Sequence, residues 1–169
     1  FGRGAPQTET KEAVVPRILF AGTASGCGKT TVTCAVLQAL ANRGIRLHAF
    51  KCGPDYIDPM FHERAIGAKG SNLDLFFYSP NTARYLLAKN AEDADVSILE
   101  GVMGYYDGLG IRSLEKSTYE VARETGTPAV LVINGHGMAF SVTALLRGFR
   151  DAVAESGIPS FGKDVMALS

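Results

Sequence analysis

The sequence predicts an α/β fold, a three-layer sandwich around a mainly parallel sheet. Three observations carry this expectation: four short apolar runs, helical patterns between them, and a glycine-rich loop that follows the first run and opens a helix. Arg17 to Gly22 (RILFAG) reads as the first strand. A helical pattern follows from Thr30 to Arg43, and Gly44 stops it by accepting the left-handed backbone that ends helices. Leu47 to Lys51, Val96 to Glu100 and Ala129 to Ile133 are the remaining strands, each too short and too apolar to be half exposed. Thr82 to Lys89, Ser117 to Glu124 and Ser141 to Glu155 suit helices. Strand and helix alternate, so right-handed crossovers would cover both faces of the sheet. Ligands of such sheets bind beyond the carboxyl ends of strands. Three of the runs end in residues with chemistry: the loop after Gly22, Lys51 to Asp58, and Glu100 to Asp107.

The bulk properties are those of one globular domain. The chain has 169 residues, 46% hydrophobic and 20% charged, enough to bury roughly 70% of its unfolded surface. Seventeen basic residues balance seventeen acidic ones, so no global field favours nucleic acid or an anionic membrane, and anion binding must be local. Cys27, Cys34 and Cys52 make neither an even disulfide set nor a metal-ligand spacing, which points to a reducing, cytoplasmic setting. Residues 1–16 read as a loose arm or tag, polar at the start and without the apolar stretch of a signal peptide, and 17–169 as the domain. Ala129 to Leu146 carries no charge over the length of a membrane span, but Asn134-Gly135-His136-Gly137 divides it into a strand, a turn and an amphipathic helix.

Gly22-Thr23-Ala24-Ser25-Gly26-Cys27-Gly28-Lys29-Thr30 stands between a strand and a helix, the context that makes a glycine-rich motif a phosphate cradle. Glycines let successive N–H groups point inward, and the helix N-terminus adds partial positive charge. Gly22, Thr23, Ser25, Gly26, Cys27, Gly28, Lys29, Thr30 and Thr31 are the candidate nucleotide-binding residues. Lys29 would reach the β- and γ-phosphates and the Thr30 hydroxyl would ligate Mg²⁺. The strict motif has glycine at the place of Thr23, whereas here the first glycine is one residue earlier. Two acidic turns, Lys51 to Pro59 and Glu100 to Asp107, would reach the same sheet edge. Several carboxylates beside a triphosphate repel it unless divalent cations intervene, so the arrangement implies Mg²⁺.

Phe50-Lys51-Cys52-Gly53-Pro54-Asp55-Tyr56-Ile57-Asp58-Pro59, Asn72-Leu73-Asp74 and Glu100-Gly101-Val102-Met103-Gly104-Tyr105-Tyr106-Asp107-Gly108 resemble the signature blocks of the cobyrinic acid a,c-diamide synthase family. With the phosphate loop and Pro128 to Gly148, the similarity covers Ile18 to Arg150. It implies a P-loop NTPase type of sheet, like that of dethiobiotin synthetase. It also implies ATP-dependent phosphorylation of tetrapyrrole side-chain carboxylates, followed by attack of ammonia that a glutaminase domain makes from glutamine. On this resemblance Thr30, Asp55 and Glu100 hold Mg²⁺, and Lys29 and Lys51 stabilise phosphoryl charge. Asp58 and Asp107 position substrate or assist ammonia attack. The alternatives are a helix N-cap for Asp58, ahead of Pro59, and a turn before Gly108 for Asp107. Tyr56, Asn72, Asp74 and Tyr106 are candidates for the macrocycle pocket, with packing near turns as the equal alternative, while His48 and His62 read as structural.

The sequence also departs from the family. Nothing in it matches the glutaminase domain, and none of its cysteines suits a glutaminase nucleophile, so free ammonia or a separate glutaminase would be needed. Asn134 and His136 stand where relatives carry other residues, and Gly157 to Ser169 offers no clear element, as in a C-terminally shortened domain. Truncated sheet edges leave a homodimer open. Among rivals, a partition-type switch ATPase would carry an extra lysine at Ala24, and a GTPase an Asn-Lys-x-Asp reader; neither is present. Dethiobiotin synthetase, which also phosphorylates a carboxyl group, is not expected to carry the Gly-Pro-Asp-Tyr-Ile-Asp-Pro block. A nucleotide-binding module without independent activity is the non-enzymatic alternative.

Overall fold

A computed structural model describes residues 16–53, 66–111, 113–155 and 166–168. In chain order the elements are β1 (Arg17–Gly22), α1 (Lys29–Ala41), β2 (Leu47–Lys51), β3 (Lys69–Asn72), α2 (Pro80–Asn90), β4 (Val96–Glu100), α3 (Thr118–Thr125), β5 (Ala129–Val132), α4 (Ser141–Glu155) and β6 (Met166–Leu168). The described strands form one sheet in the order β3-β2-β4-β1-β5-β6, and every pairing is parallel.

All four expected strands and all four expected helices are present, with ends shifted by a residue or two. Two strands were not expected. β3 has the sequence KGSN, with no apolar alternation to mark it. It forms because β2 offers a free edge, and the register His48↔Lys69 to Lys51↔Asn72 fills it. Gly157 to Ser169, expected to hold no element, contains β6, a three-residue edge strand paired with β5. The stretch Ala129 to Leu146 divides as expected into strand, turn and helix, and no described helix is long and apolar enough to cross a membrane.

Burial on both faces explains the apolar strands. β2 and β5 are buried at every position. Alternate residues feed two cores. Leu19, Phe50, Leu99 and Leu131 pack with Leu87, Tyr119 and Val121 on the side of α2 and α3. Phe20, Ala49, Ile98 and Val130 pack with Leu37 on the side of α1. Side chains cap the helices of the first face: Ser79 accepts from Thr82 N at 3.2 Å at the start of α2, and Ser117 from Glu120 N at 3.1 Å at the start of α3. Gly126, at φ 60°, ends α3 with the left-handed turn that favours glycine.

Leu99, fully buried on β4 between β1 and β2, should cost about 3 kcal/mol when replaced by alanine; urea unfolding measures this. His48 is buried on β2, stacked on Phe50 with ring centroids 4.4 Å apart, and shares a 2.8 Å hydrogen bond between Nε2 and Ser71 Oγ. Burial, aided by Lys69, lowers its pKa to about 4, so the folded chain holds the neutral ring. The unfolded chain binds the proton from about pH 6.5 downward, so stability should be full above that pH and fall as pH drops toward 4. A His48→Gln variant should flatten that part of the stability profile in unfolding curves recorded across the window.

Candidate nucleotide-binding site

The glycine-rich loop leaves the carboxyl end of β1 and closes on α1. It needs two left-handed glycines, φ 73° at Gly26 and 98° at Gly28. Gly22 is needed for room: a Cβ there would stand 2.9 Å from two side-chain carbons of Lys29 and would collide with Cys27 Sγ. Gly28 is also the N-cap of α1, where no side chain caps the helix. The first-turn amides therefore face the rim without a side-chain competitor, as an anion site requires.

Charged and polar groups from three other places meet this loop. Lys29 is 7% exposed, and its Nζ donates to Ala24 O at 3.1 Å and Met103 O at 2.6 Å. Glu100, fully buried at the end of β4, accepts from Thr30 Oγ1 at 2.5 Å and from Lys51 Nζ at 2.8 Å, both on Oε1. Two cations, a hydroxyl and a carboxylate thus stand at one end of the sheet. They border a cavity of about 480 Å³, whose walls include Ser25, Gly28, Thr30, Lys51 and Met103. A hydroxyl and a carboxylate oxygen are hard donors, and magnesium is commonly held by one or two carboxylates, waters and phosphate oxygens. Thr30 and Glu100 fit that ion.

The sequence candidates divide by position. Ser25, Gly26, Gly28, Lys29, Thr30 and Thr31 line the cavity together with Lys51 and Glu100. Gly22, Thr23 and Cys27 shape the loop: Thr23 N donates to Val132 O at 3.2 Å, and Cys27 packs against the α1-side core. Asp107 is exposed, and its Oδ2 accepts from Gly104 N at 2.9 Å, closing a turn. Asp55, Tyr56, Asp58 and His62 lie outside the described residues. Of the macrocycle-pocket candidates, Tyr106 is committed to packing, with its hydroxyl donating to Phe149 O at 2.6 Å and its ring stacked on that of Phe149. Asn72 Nδ2 donates to Gly53 O at 3.1 Å, and buried Asp74 accepts from Phe76 N at 2.8 Å, so both shape turns. Asn134 Oδ1 accepts from His136 N at 3.0 Å in an exposed turn. Burial pushes the Cys52 thiol up to about 12, which leaves it protonated and unreactive near neutral pH.

Two members of the site were not singled out from sequence. Ala24 and Met103 act through backbone carbonyls, which a side-chain pattern does not display. The available signal was the pair Gly101 and Gly104 flanking residues 102–103, since paired glycines mark close approach. A Cβ at Gly104 would stand 3.1 Å from Thr23 O, and one at Gly101 2.8 Å from Thr118 Oγ1. A second cavity, about 520 Å³, opens at the amino ends of β2 and β3. Its charged groups are exposed and paired with one another or with a neighbour, Arg46 with Asp95 at 2.6 Å and Lys69 with Asp93 at 3.3 Å, so it gathers no comparable chemistry.

Residues 18–166 match the family model described as the CobQ/CobB/MinD/ParA nucleotide binding domain. The chain is 48% identical over 137 residues to a cobyrinate a,c-diamide synthase of Thermoplasma volcanium, covering 81% of this chain and 30% of that protein. It is 41% identical over 142 residues to one from Priestia megaterium, covering 84% and 31%. The chain thus spans about a third of the length of these curated relatives. Among solved structures, the hydrogenase maturation factor HypB from Archaeoglobus fulgidus superposes with a TM-score of 0.55 at 15% identity, over 91% of this chain and 81% of that one. The signal recognition particle receptor FtsY from Elizabethkingia anophelis, in complex with GDP, gives 0.52 at 16%, over 75% and 42%. At such identities these two establish the fold, a P-loop NTPase sheet. The glycine loop, the parallel topology and the family match agree: the chain belongs to the cobyrinate a,c-diamide synthase family, as its nucleotide-binding domain.

Proposed function

We propose that this domain binds ATP with Mg²⁺ and activates side-chain carboxylates of a tetrapyrrole for amidation. The reading rests above all on the meeting of Lys29, Thr30, Lys51 and Glu100 at one cavity, with Thr30 and Lys51 both within hydrogen-bond reach of one Glu100 oxygen. It is supported by the names of the relatives, which are cobyrinate a,c-diamide synthases.

The chemistry explains why such a site is needed. A carboxylate resists attack by ammonia because its oxygen is a poor leaving group. Transfer of the γ-phosphoryl group of ATP to that oxygen gives an acyl phosphate and ADP. Ammonia then adds to the acyl carbon, inorganic phosphate leaves, and a proton is lost to give the amide. The protein's work is to align carboxylate with phosphoryl group and to hold positive charge where negative charge moves.

Lys29, beside the amides of the glycine loop, would neutralise the β- and γ-phosphate oxygens. Lys51 would do the same on the acceptor side while balancing Glu100. Thr30 and Glu100 would hold Mg²⁺ with Asp55. Charge neutralisation across the β- and γ-phosphate oxygens is what that ion would supply. Asp58 and Asp107 would orient the acceptor or assist ammonia. The ammonia would come from a glutaminase domain or from solution, in a cytoplasmic, homodimeric enzyme.

Phosphate release from ATP, Mg²⁺ and ammonium should depend on an added cobyrinate-type substrate; hydrolysis indifferent to the tetrapyrrole would remove this reading. Lys29→Ala should cost roughly 3 kcal/mol of transition-state stabilisation, about a hundred-fold in kcat/KM; a loss under about threefold would deny Lys29 its role. Glu100→Gln should move the Mg²⁺ titration of activity to higher metal concentration, and curves that overlay would strike Glu100 from the ligand set.

A further inference from the structure

Met103 combines two features that the proposed chemistry does not use. Its backbone is left-handed, φ 48°, a conformation unfavourable for a residue with a Cβ, and one other described non-glycine residue, Lys116, has a positive φ. Its carbonyl oxygen also stands 2.6 Å from Lys29 Nζ, the shorter of the two contacts to that ammonium.

The turn is set from both sides. Val102 N accepts no freedom: it donates to Thr118 Oγ1 at 3.1 Å, and that hydroxyl returns a 3.0 Å bond to Val102 O. On the other side Gly104 N donates to Asp107 Oδ2 at 2.9 Å, and Tyr105 N donates to Gly22 O at 2.7 Å. The peptide before Met103 is therefore tied to Thr118 of α3, the peptide after it to Asp107, and the next one on to Gly22 at the end of β1. Strain of this kind persists only where surrounding contacts impose it. Here the ammonium contact is what the strained carbonyl receives in return.

We propose that Met103 is a positioning residue for Lys29, its carbonyl competing with nucleotide phosphates for the same ammonium, with the left-handed turn setting the strength of that competition. The proposal rests on the reading of Lys29 as a phosphate-binding lysine. It adds that binding requires Lys29 to exchange a carbonyl for a phosphate oxygen, and that the loop holding Asp107 loses an anchor when this happens. Residues that accept the left-handed turn should strengthen the carbonyl's hold. Residues that resist it should weaken that hold and release Lys29 to the nucleotide.

Calorimetric titration with Mg²⁺ and the non-hydrolysable analogue AMP-PNP tests this on the chain and its variants. Met103→Asn and Met103→Gly should each bind the analogue roughly fivefold more weakly, and Met103→Asn should also melt at a higher temperature without nucleotide. Met103→Ile, β-branched and averse to positive φ, should bind it roughly fivefold more tightly. General damage to the site would weaken all three and lower their melting temperatures. If the isoleucine variant does not fold, the asparagine variant decides by its paired gain in stability and loss of affinity. Met103-Gly104 is also the one Met-Gly pair in the sequence, so ¹³C′-methionine and ¹⁵N-glycine labelling isolates a single carbonyl signal. It should move upfield on saturation with the analogue, as a carbonyl does on losing a hydrogen bond. Equal affinities, shifts of one sign in Asn and Ile variants, or a stationary carbonyl would overturn the proposal alone. Absence of binding by the unsubstituted chain would overturn the phosphate reading together with it.

Discussion

The carboxylate of Glu100 is the point on which the site depends. One of its oxygens receives both the Thr30 hydroxyl from α1 and the Lys51 ammonium from β2, while its own backbone closes β4. A buried ion pair is seldom a net source of stability, because desolvating two charges offsets most of their attraction. Lys51 is 5% exposed and Glu100 is fully buried, so the desolvation is nearly complete. The sequence bears that cost at the end of a sheet where apolar residues would pack more cheaply. A need for charge at that position is the physical explanation, and a bound nucleotide supplies the need.

Parallel topology is what brings the charges together. β2 and β4 are neighbours in register, Lys51 opposite Glu100, and β4 in turn pairs with β1, from which the glycine loop emerges. Three segments far apart in sequence therefore end side by side without any long loop bending to reach. The second layer of control lies in backbone contacts. Tyr105 N to Gly22 O and Lys29 Nζ to Met103 O join the loop after β4 to the loop after β1.

Much of this was legible in the sequence, for identifiable reasons. RILFAG, LHAFK, VSILE and AVLV are apolar at positions that both cores claim, so composition alone marks them. The phosphate loop is legible because its glycines answer backbone needs that no other residue meets. β3 was illegible because KGSN is half exposed and owes its form to an edge, not to a pattern. β6, at three residues, is too short to carry a period. Lys51 was placed at the site from sequence, but its pairing with Glu100 follows from strand register, which sequence does not give directly. The roles of Ala24 and Met103 belong to carbonyl groups that every residue has, so only their geometry distinguishes them.

The order of strands bears on how the chain assembles. β1 precedes both of its partners, β4 and β5, by a long stretch of chain. On the ribosome the glycine loop therefore has no sheet to stand on until Val96–Glu100 has emerged. Such long-range pairing slows folding and leaves an apolar strand uncovered meanwhile. Nascent chains released before that point would hold RILFAG bare, a natural target for chaperones, and would have no means of retaining a nucleotide.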